Sequence, residues 1–312
     1  IRRPPRSTLD RSSAASDVYK RQILASITTG SNNIAIGEKA GQVMDNAGDN
    51  VILGVEAGYN ITTPSSNVFL GKFAGKGVTT GGCNIALGQN AMGSGTVTGI
   101  CNIAIGKDAA KDLTSGKLNA IVGDGASENI TTGCYNSVFG YGANKTGVLT
   151  GTSNVFMGHY AGDDVSSGNQ NVFLGKDAGR CATTGSNNIA LGTDALGDAV
   201  MTGDYNIALG YAAAEKVTSG ASNIILGNQA GQKITDGNKN IIMGINAGNN
   251  GTGITENVII GSYAGTRLAS GNKNVFIDDA AGRCRDSGNN LSLIHISEPT
   301  RRRGISYAVF CL

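Results

Sequence analysis

The stretch Gly30–Gly41, GSNNIAIGEKAG, decides the fold, because almost everything between residues 23 and 290 is a variation on it. From its Asn33, the same asparagine returns at Asn50, Asn67, Asn84, Asn102, Asn119, Asn136, Asn154, Asn171, Asn188, Asn206, Asn223, Asn240, Asn257 and Asn274. These fifteen copies are spaced by 17 residues eleven times and by 18 three times. A fixed short period is the signature of stacked repeats, each burying its apolar face against a neighbour.

One unit runs N-h-h-h-G-x-x-A-G-x-x-h-T-x-G-x-x. The first residue after the asparagine is Val or Ile in thirteen of fifteen copies, which predicts a short β-strand. A glycine closes the strand in fourteen copies and marks a corner; Asp278 alone departs. An alanine follows three residues later in every copy, from Ala40 to Ala281, where the wall is expected to fold close to the core. The second half, as in Ile130-Thr131-Thr132-Gly133, predicts a second short strand and a second turn. Gly and Asn interrupt the chain too often for helices.

A lone unit cannot stand, since three or four buried aliphatics return less than the cost of ordering 17 residues. Stacked units share backbone ladders and a continuous core, and identical asparagines can hydrogen-bond along the stack. The expected fold is therefore all-β, a parallel β-solenoid (β-roll or β-helix) of fifteen 17–18-residue coils, forming a rod of roughly 70 Å. The three strand residues are apolar at nearly every copy, and the middle one is never polar. A strand apolar on both faces is normally buried on both, so a second copy of the chain is the expected cover, most simply in a parallel trimer. A longer rhythm is superposed: the 18-residue copies start at Asn84, Asn136 and Asn188, each 52 apart. It fits duplication of a 52-residue unit, and also a wide three-sided coil in which each copy stacks on the copy three later.

With 48 Gly, no Trp and 5% aromatic residues, the composition argues against one large globular core. Residues 1–22 and 291–312 break the repeat and resemble translated sequencing-library adapters: Asp17-Val18-Tyr19-Lys20-Arg21-Gln22 and Leu291-Ser292-Leu293-Ile294-His295-Ile296 carry the match. Both segments are expected to be disordered and are set apart from the repeat domain, 23–290. Without them the formal charge changes from +2 to about −4, with 16 basic and 20 acidic residues. The basic balance therefore gives no case for a nucleic-acid partner. No apolar run reaches the ~18 residues of a spanning helix, so no membrane insertion is expected. The repeat is entered and left in mid-unit, as expected of a fragment of a longer protein.

Asn33-Ile34-Ala35-Ile36-Gly37 and Asn102-Ile103-Ala104-Ile105-Gly106 resemble the repeats of YadA-like trimeric autotransporter adhesin heads. The G-x-x-A-G…T-T-G-S-N-N pattern is similar to repeat tracts of phage tail-fibre proteins. The resemblance covers residues 23–290, although the 17-residue period is longer than the adhesin coil. It implies a left-handed parallel β-roll, trimeric, extracellular on a cell surface or a virion, and adhesive or structural, meeting a glycan or protein receptor on a host.

The residues that could carry chemistry are few. Within 23–290 His159 is the single histidine, which excludes a histidine pair or triad in one chain and reads as an exposed bystander. Cys83 and Cys101 each precede a repeat asparagine on adjacent coils, where the spacing permits a disulfide although stacked thiols are expected to remain small buried side chains; Cys134 is one position off; Cys181 and Cys284 match each other. Without C-x-x-C they form neither a zinc motif nor a disulfide framework. Gly71-Lys72, Gly106-Lys107 and Gly175-Lys176 are not followed by Ser or Thr, so no phosphate loop is expected. Asp163-Asp164 and Asp278-Asp279 read as solvated turn charges, and the sequons at Asn60, Asn129, Asn144 and Asn250 are expected from composition. No catalytic, cofactor-binding or metal-ligating residue is assigned, and no cofactor is expected.

The resulting expectation is a non-enzymatic shaft or head segment of a trimeric surface adhesin or tail fibre. Two alternatives stand beside it. One is an ice-binding solenoid, motivated by Thr62-Thr63, Thr79-Thr80, Thr131-Thr132 and Thr183-Thr184 and broken at Val200 and Ala269. The other is a polysaccharide-cleaving tailspike, which would need carboxylates clustered against a groove.

Overall fold

The computed structural model describes residues 31–294. Residues 1–22 and 295–312, expected from the sequence to stand apart from the repeat, lie outside this range. Sixteen three-residue strands follow one another: β1 (Ile34–Ile36), β2 (Val51–Leu53), β3 (Val68–Leu70), β4 (Ile85–Leu87), β5 (Ile103–Ile105), β6 (Ala120–Val122), β7 (Ser137–Phe139), β8 (Val155–Met157), β9 (Val172–Leu174), β10 (Ile189–Leu191), β11 (Ile207–Leu209), β12 (Ile224–Leu226), β13 (Ile241–Met243), β14 (Val258–Ile260), β15 (Val275–Ile277) and β16 (Ser292–Ile294). The chain divides into two compact units, Ile1–Asn136 with β1–β6 and Ser137–Leu312 with β7–β16. Each is a parallel β-solenoid, with one strand per 17–18-residue turn.

In the first unit each strand pairs with the next in exact repeat register, as in Ile34↔Val51 and Ile85↔Ile103. In the second the same holds, as in Val172↔Ile189 and Ile241↔Val258. Copies therefore stack on their immediate neighbours, which overturns the three-sided 52-residue coil. The 18-residue copies place their extra residue in the turn and leave the strand register intact, as Ile85↔Ile103 and Ile189↔Ile207 show.

The expected second strand is not formed. Its place is held by single ladder bonds, such as Thr62 N–H to Thr79 O (3.0 Å) and Thr218 N–H to Thr235 O (2.8 Å). Only isolated bridges (Val78↔Val97, Ala182↔Met201, Thr255↔Asn272, Ser270↔Ser287) remain among the described residues. The physical cause is backbone curvature. Left-handed residues bound the segment on both sides, such as Gly58 (φ 54°) before Ile61-Thr62-Thr63 and Ser66 (φ 64°) after it, and confine it to a short connection between two bends.

The core of each coil is thin: the middle strand residue, the repeat alanine and the second-half aliphatic. In coil three these are Phe69, Ala74 and Val78, all fully buried. Beside them runs the asparagine column. Asn102 Oδ1 accepts both the backbone N–H (3.1 Å) and the side-chain Nδ2 (2.9 Å) of Asn119. Asn119 Nδ2 also donates to Gly133 O at 2.8 Å. In the second unit Asn206 and Asn223 repeat this arrangement, with Asn223 Nδ2 on Gly237 O. Every polar atom of the amide is thus used in a space that water does not reach.

Leu291, Ser292, Leu293 and Ile294 belong to the adapter-like stretch, yet they continue the stack. Leu293 pairs with Phe276, and Leu291 N–H donates to Asn274 Oδ1. A parallel edge accepts any short segment with an apolar residue at the inward position.

Candidate interaction face

Strand alternation sends the middle side chain inward and the first and third outward. The middle residue is buried in all fifteen strands of the repeat, β1–β15. The outward pair is apolar on every one of them except at Ser137. In the first unit the two columns run Ile34, Val51, Val68, Ile85, Ile103, Ala120 and Ile36, Leu53, Leu70, Leu87, Ile105, Val122. In the second they begin at Ser137 and Phe139 and end at Val275 and Ile277. Ile34 and Ile36 are 53% and 50% exposed, and the rest range from half-buried to exposed because the coils above and below cover part of each. The result in each unit is a flat stripe of aliphatic side chains, recurring at about 4.8 Å. The sequence reading recognised that both strand faces are apolar; the structure shows that the outward pair is the one left in solvent.

Polar columns flank the stripe. The residue before each asparagine is left-handed and faces outward (Asp49, Cys83, Cys101, Gln170, Lys239), with apolar members at Leu118, Tyr135 and Tyr205. Past the corner, ion pairs link coils: Lys76 Nζ to Glu56 at 2.8 Å, Lys111 Nζ to Glu128 at 3.0 Å, and Lys216 to Asp198. Hydrogen bonding to Lys76 holds the Glu56 carboxyl below its ordinary range, and hydrogen bonding to Glu128 raises the Lys111 ammonium.

The residues singled out from the sequence fall as follows. His159 is exposed, stacked on Tyr141 at 5.4 Å and edge-on to Tyr160 at 4.3 Å. Partial burial and the neighbouring Tyr141 push the Tyr160 phenol up. Asp163 is not a free turn charge: its carboxylate accepts Lys145 N–H (3.0 Å), Thr146 N–H (2.9 Å) and the Thr146 hydroxyl (3.0 Å), pinning the coil before it. Burial, and then the charge of Asp163, raise Asp164. Asp278 occupies the corner at φ 114° and accepts Asp279 N–H. Among the Gly-Lys pairs, Lys72 lies 4.9 Å over the Phe73 ring, Lys107 is 3.5 Å from Asp108, and Lys176 is 2.6 Å from Asp177.

Asn144 is buried, its amide donating to Gly162 O (2.9 Å) and Val165 O (2.8 Å), so its sequon is closed to modification. Asn60, Asn129 and Asn250 are half-buried, each six residues past a corner glycine. Three of the four threonine pairs proposed as a water-ordering ladder spend their first hydroxyl on protein. Thr62 donates to Thr79 O at 3.0 Å, Thr79 to Val97 O at 3.3 Å, and Thr183 to Met201 O at 3.4 Å. Among the described residues no group of three or more His, Cys, Asp or Glu is placed to hold a metal ion. No helix among the described residues is long and apolar enough to cross a membrane.

The comparisons with known proteins find no family model and no curated relative that matches the chain.

Proposed function

We propose that the chain is a structural or adhesive segment of a fibre built from three parallel copies, each covering the others' apolar stripe. The observation that carries this reading is the outward pair of aliphatics on nearly every strand of the repeat. Exposed contiguous apolar surface on this scale marks an interaction site. Its repeat also selects the occupant. A partner must match a rise of about 4.8 Å over many coils, and a second copy laid parallel does so at every height. The resemblance to trimeric adhesin heads and tail fibres supports three copies and an extracellular setting. Work of this kind requires length and multivalency and no catalytic group.

Sedimentation of the full chain tests the reading directly. The expected species is a trimer; a monodisperse monomer at micromolar concentration overturns it. Leu191→Lys with Leu209→Lys puts two ammonium groups into the stripe without touching the coil interior. It is expected to yield monomers whose circular dichroism is unchanged.

A further inference from the structure

Cys83 and Cys101 stand apart from the other cysteines, and from everything the fibre reading uses. Each immediately precedes a ladder asparagine, Asn84 or Asn102, whose side chain is buried. Each has the same left-handed backbone, φ 57° and 58°. Their amides bond the same level of the coil before, Cys83 N–H to Ser65 O at 3.0 Å and Cys101 N–H to Gly82 O at 3.1 Å. The strands that follow them pair in register, Ile85↔Ile103. The two thiols are therefore equivalent side chains on adjacent coils, one rise apart, with parallel Cα–Cβ bonds. Both are free; Cys83 is exposed and Cys101 half-exposed.

That separation is about 4.8 Å. A disulfide draws its Cβ atoms to about 3.8 Å, with the S–S bond at a right-angled dihedral. Parallel side chains held by the Asn84–Asn102 bond and the strand ladder would have to shift to reach it. A linear sulfur–cation–sulfur bridge spans about 4.6 Å, twice a metal–thiolate bond of about 2.3 Å. It fits between the two sulfurs without moving the coils.

We propose that Cys83 and Cys101 form a two-thiolate site for a soft cation of linear coordination, of the copper(I) or silver(I) class. Thiolate sulfur selects such ions over calcium, magnesium or manganese. Each sulfur gives up its proton to water as it binds, so one ion is taken up and two protons are released. The exposed Leu118, next in the same column, places apolar surface on one side of the bridge. The site needs only one chain and does not depend on copies associating.

The test is silver(I) binding to the full chain with Cys134→Ser, Cys181→Ser, Cys284→Ser and Cys311→Ser, followed by native mass spectrometry and X-ray absorption. One ion per chain with two sulfur neighbours is expected. Adding Cys83→Ser or Cys101→Ser is expected to weaken binding about a hundredfold, because the second thiolate acts at high effective concentration. Circular dichroism confirms that each variant is folded. Equal affinity in the one-thiol and two-thiol proteins overturns the site. So does ready air oxidation to a Cys83–Cys101 disulfide with no loss of melting temperature, since the sulfurs would then lie closer than a linear bridge requires.

Discussion

At the residue scale, the asparagine column bears the largest consequence per atom. Asn223 both donates its amide to Asn206 Oδ1 and supplies the acceptor for Asn240. Asn223→Ala strips acceptors from a backbone N–H and a buried amide at once, and a loss of about 2–5 kcal/mol is expected in denaturant unfolding. Asn223→Asp keeps the shape, but sets a carboxylate oxygen against Asn206 Oδ1 and Gly237 O. Burial and these acceptors raise its folded pKa above the unfolded value. Stability of that variant is therefore expected to fall as pH rises through the window between the two, and to recover in acid. A pH-independent loss in Asn223→Asp would contradict the ladder.

The corner supplies the converse case. Fourteen copies have glycine there, and a Cβ on Gly210 would meet Gly227 O of the next coil at 2.5 Å. Asp278 holds the same corner at φ 114°. Relief of that strain outweighs the extra freedom glycine gains in the unfolded chain. Asp278→Gly is expected to stabilise by about 1 kcal/mol, read as a shift in urea midpoint at constant slope.

At the scale of the single coil, volume is shared between two positions. Where the inward strand residue is phenylalanine, the residue after the repeat alanine is glycine: Phe69 with Gly75, Phe156 with Gly162, Phe173 with Gly179, Phe276 with Gly282. A Cβ on Gly75 would lie 2.5 Å from Phe69 Cγ. Where the strand residue is alanine, a larger side chain takes the space in two coils: Ala86 with Met92 and Ala190 with Leu196, all buried. Phe69→Ala alone should cost about 3–5 kcal/mol, and Gly75→Met alone about 1–3 from overpacking. Combined, they reproduce the Ala86–Met92 arrangement, and a favourable coupling of at least about 1 kcal/mol is expected in the double-mutant cycle. This pairing was present in the sequence, but the two positions lie six residues apart across a corner. Only the folded coil shows that they share one void.

For the whole molecule, stability is the sum of coils and their contacts, so copy number is adjustable in whole steps. Deleting residues 224–240 joins Asn223 to Ile241, the same junction that Asn240 makes, and removes one complete coil of the second unit. The shortened protein is expected to keep its circular dichroism and lose only a few degrees of melting temperature. Deleting residues 224–231 alone leaves too little of that coil to close a turn while β13–β16 keep their own spacing, so the stack is broken between β11 and β13 and a single cooperative transition is expected to be lost from that unit.

The fifteen asparagines, the β-branched residues after them and the closing glycines determined by themselves that this chain is a β-solenoid of stacked repeats. Periodicity is a property of the covalent chain, and it survives without knowledge of any contact. Tertiary structure decided what one dimension leaves open. It showed that copies stack on their nearest neighbours and not on the third, because strand register and the asparagine bonds run from each copy to the next and absorb the extra residue of the longer copies in the turn. It also showed that the threonine half of the coil forms no strand, because left-handed residues on either side confine it between two bends. Which strand face is inside was decided last. Both are apolar, and only closure of the coil over its alanine column makes the middle residue the core and leaves its neighbours as a surface.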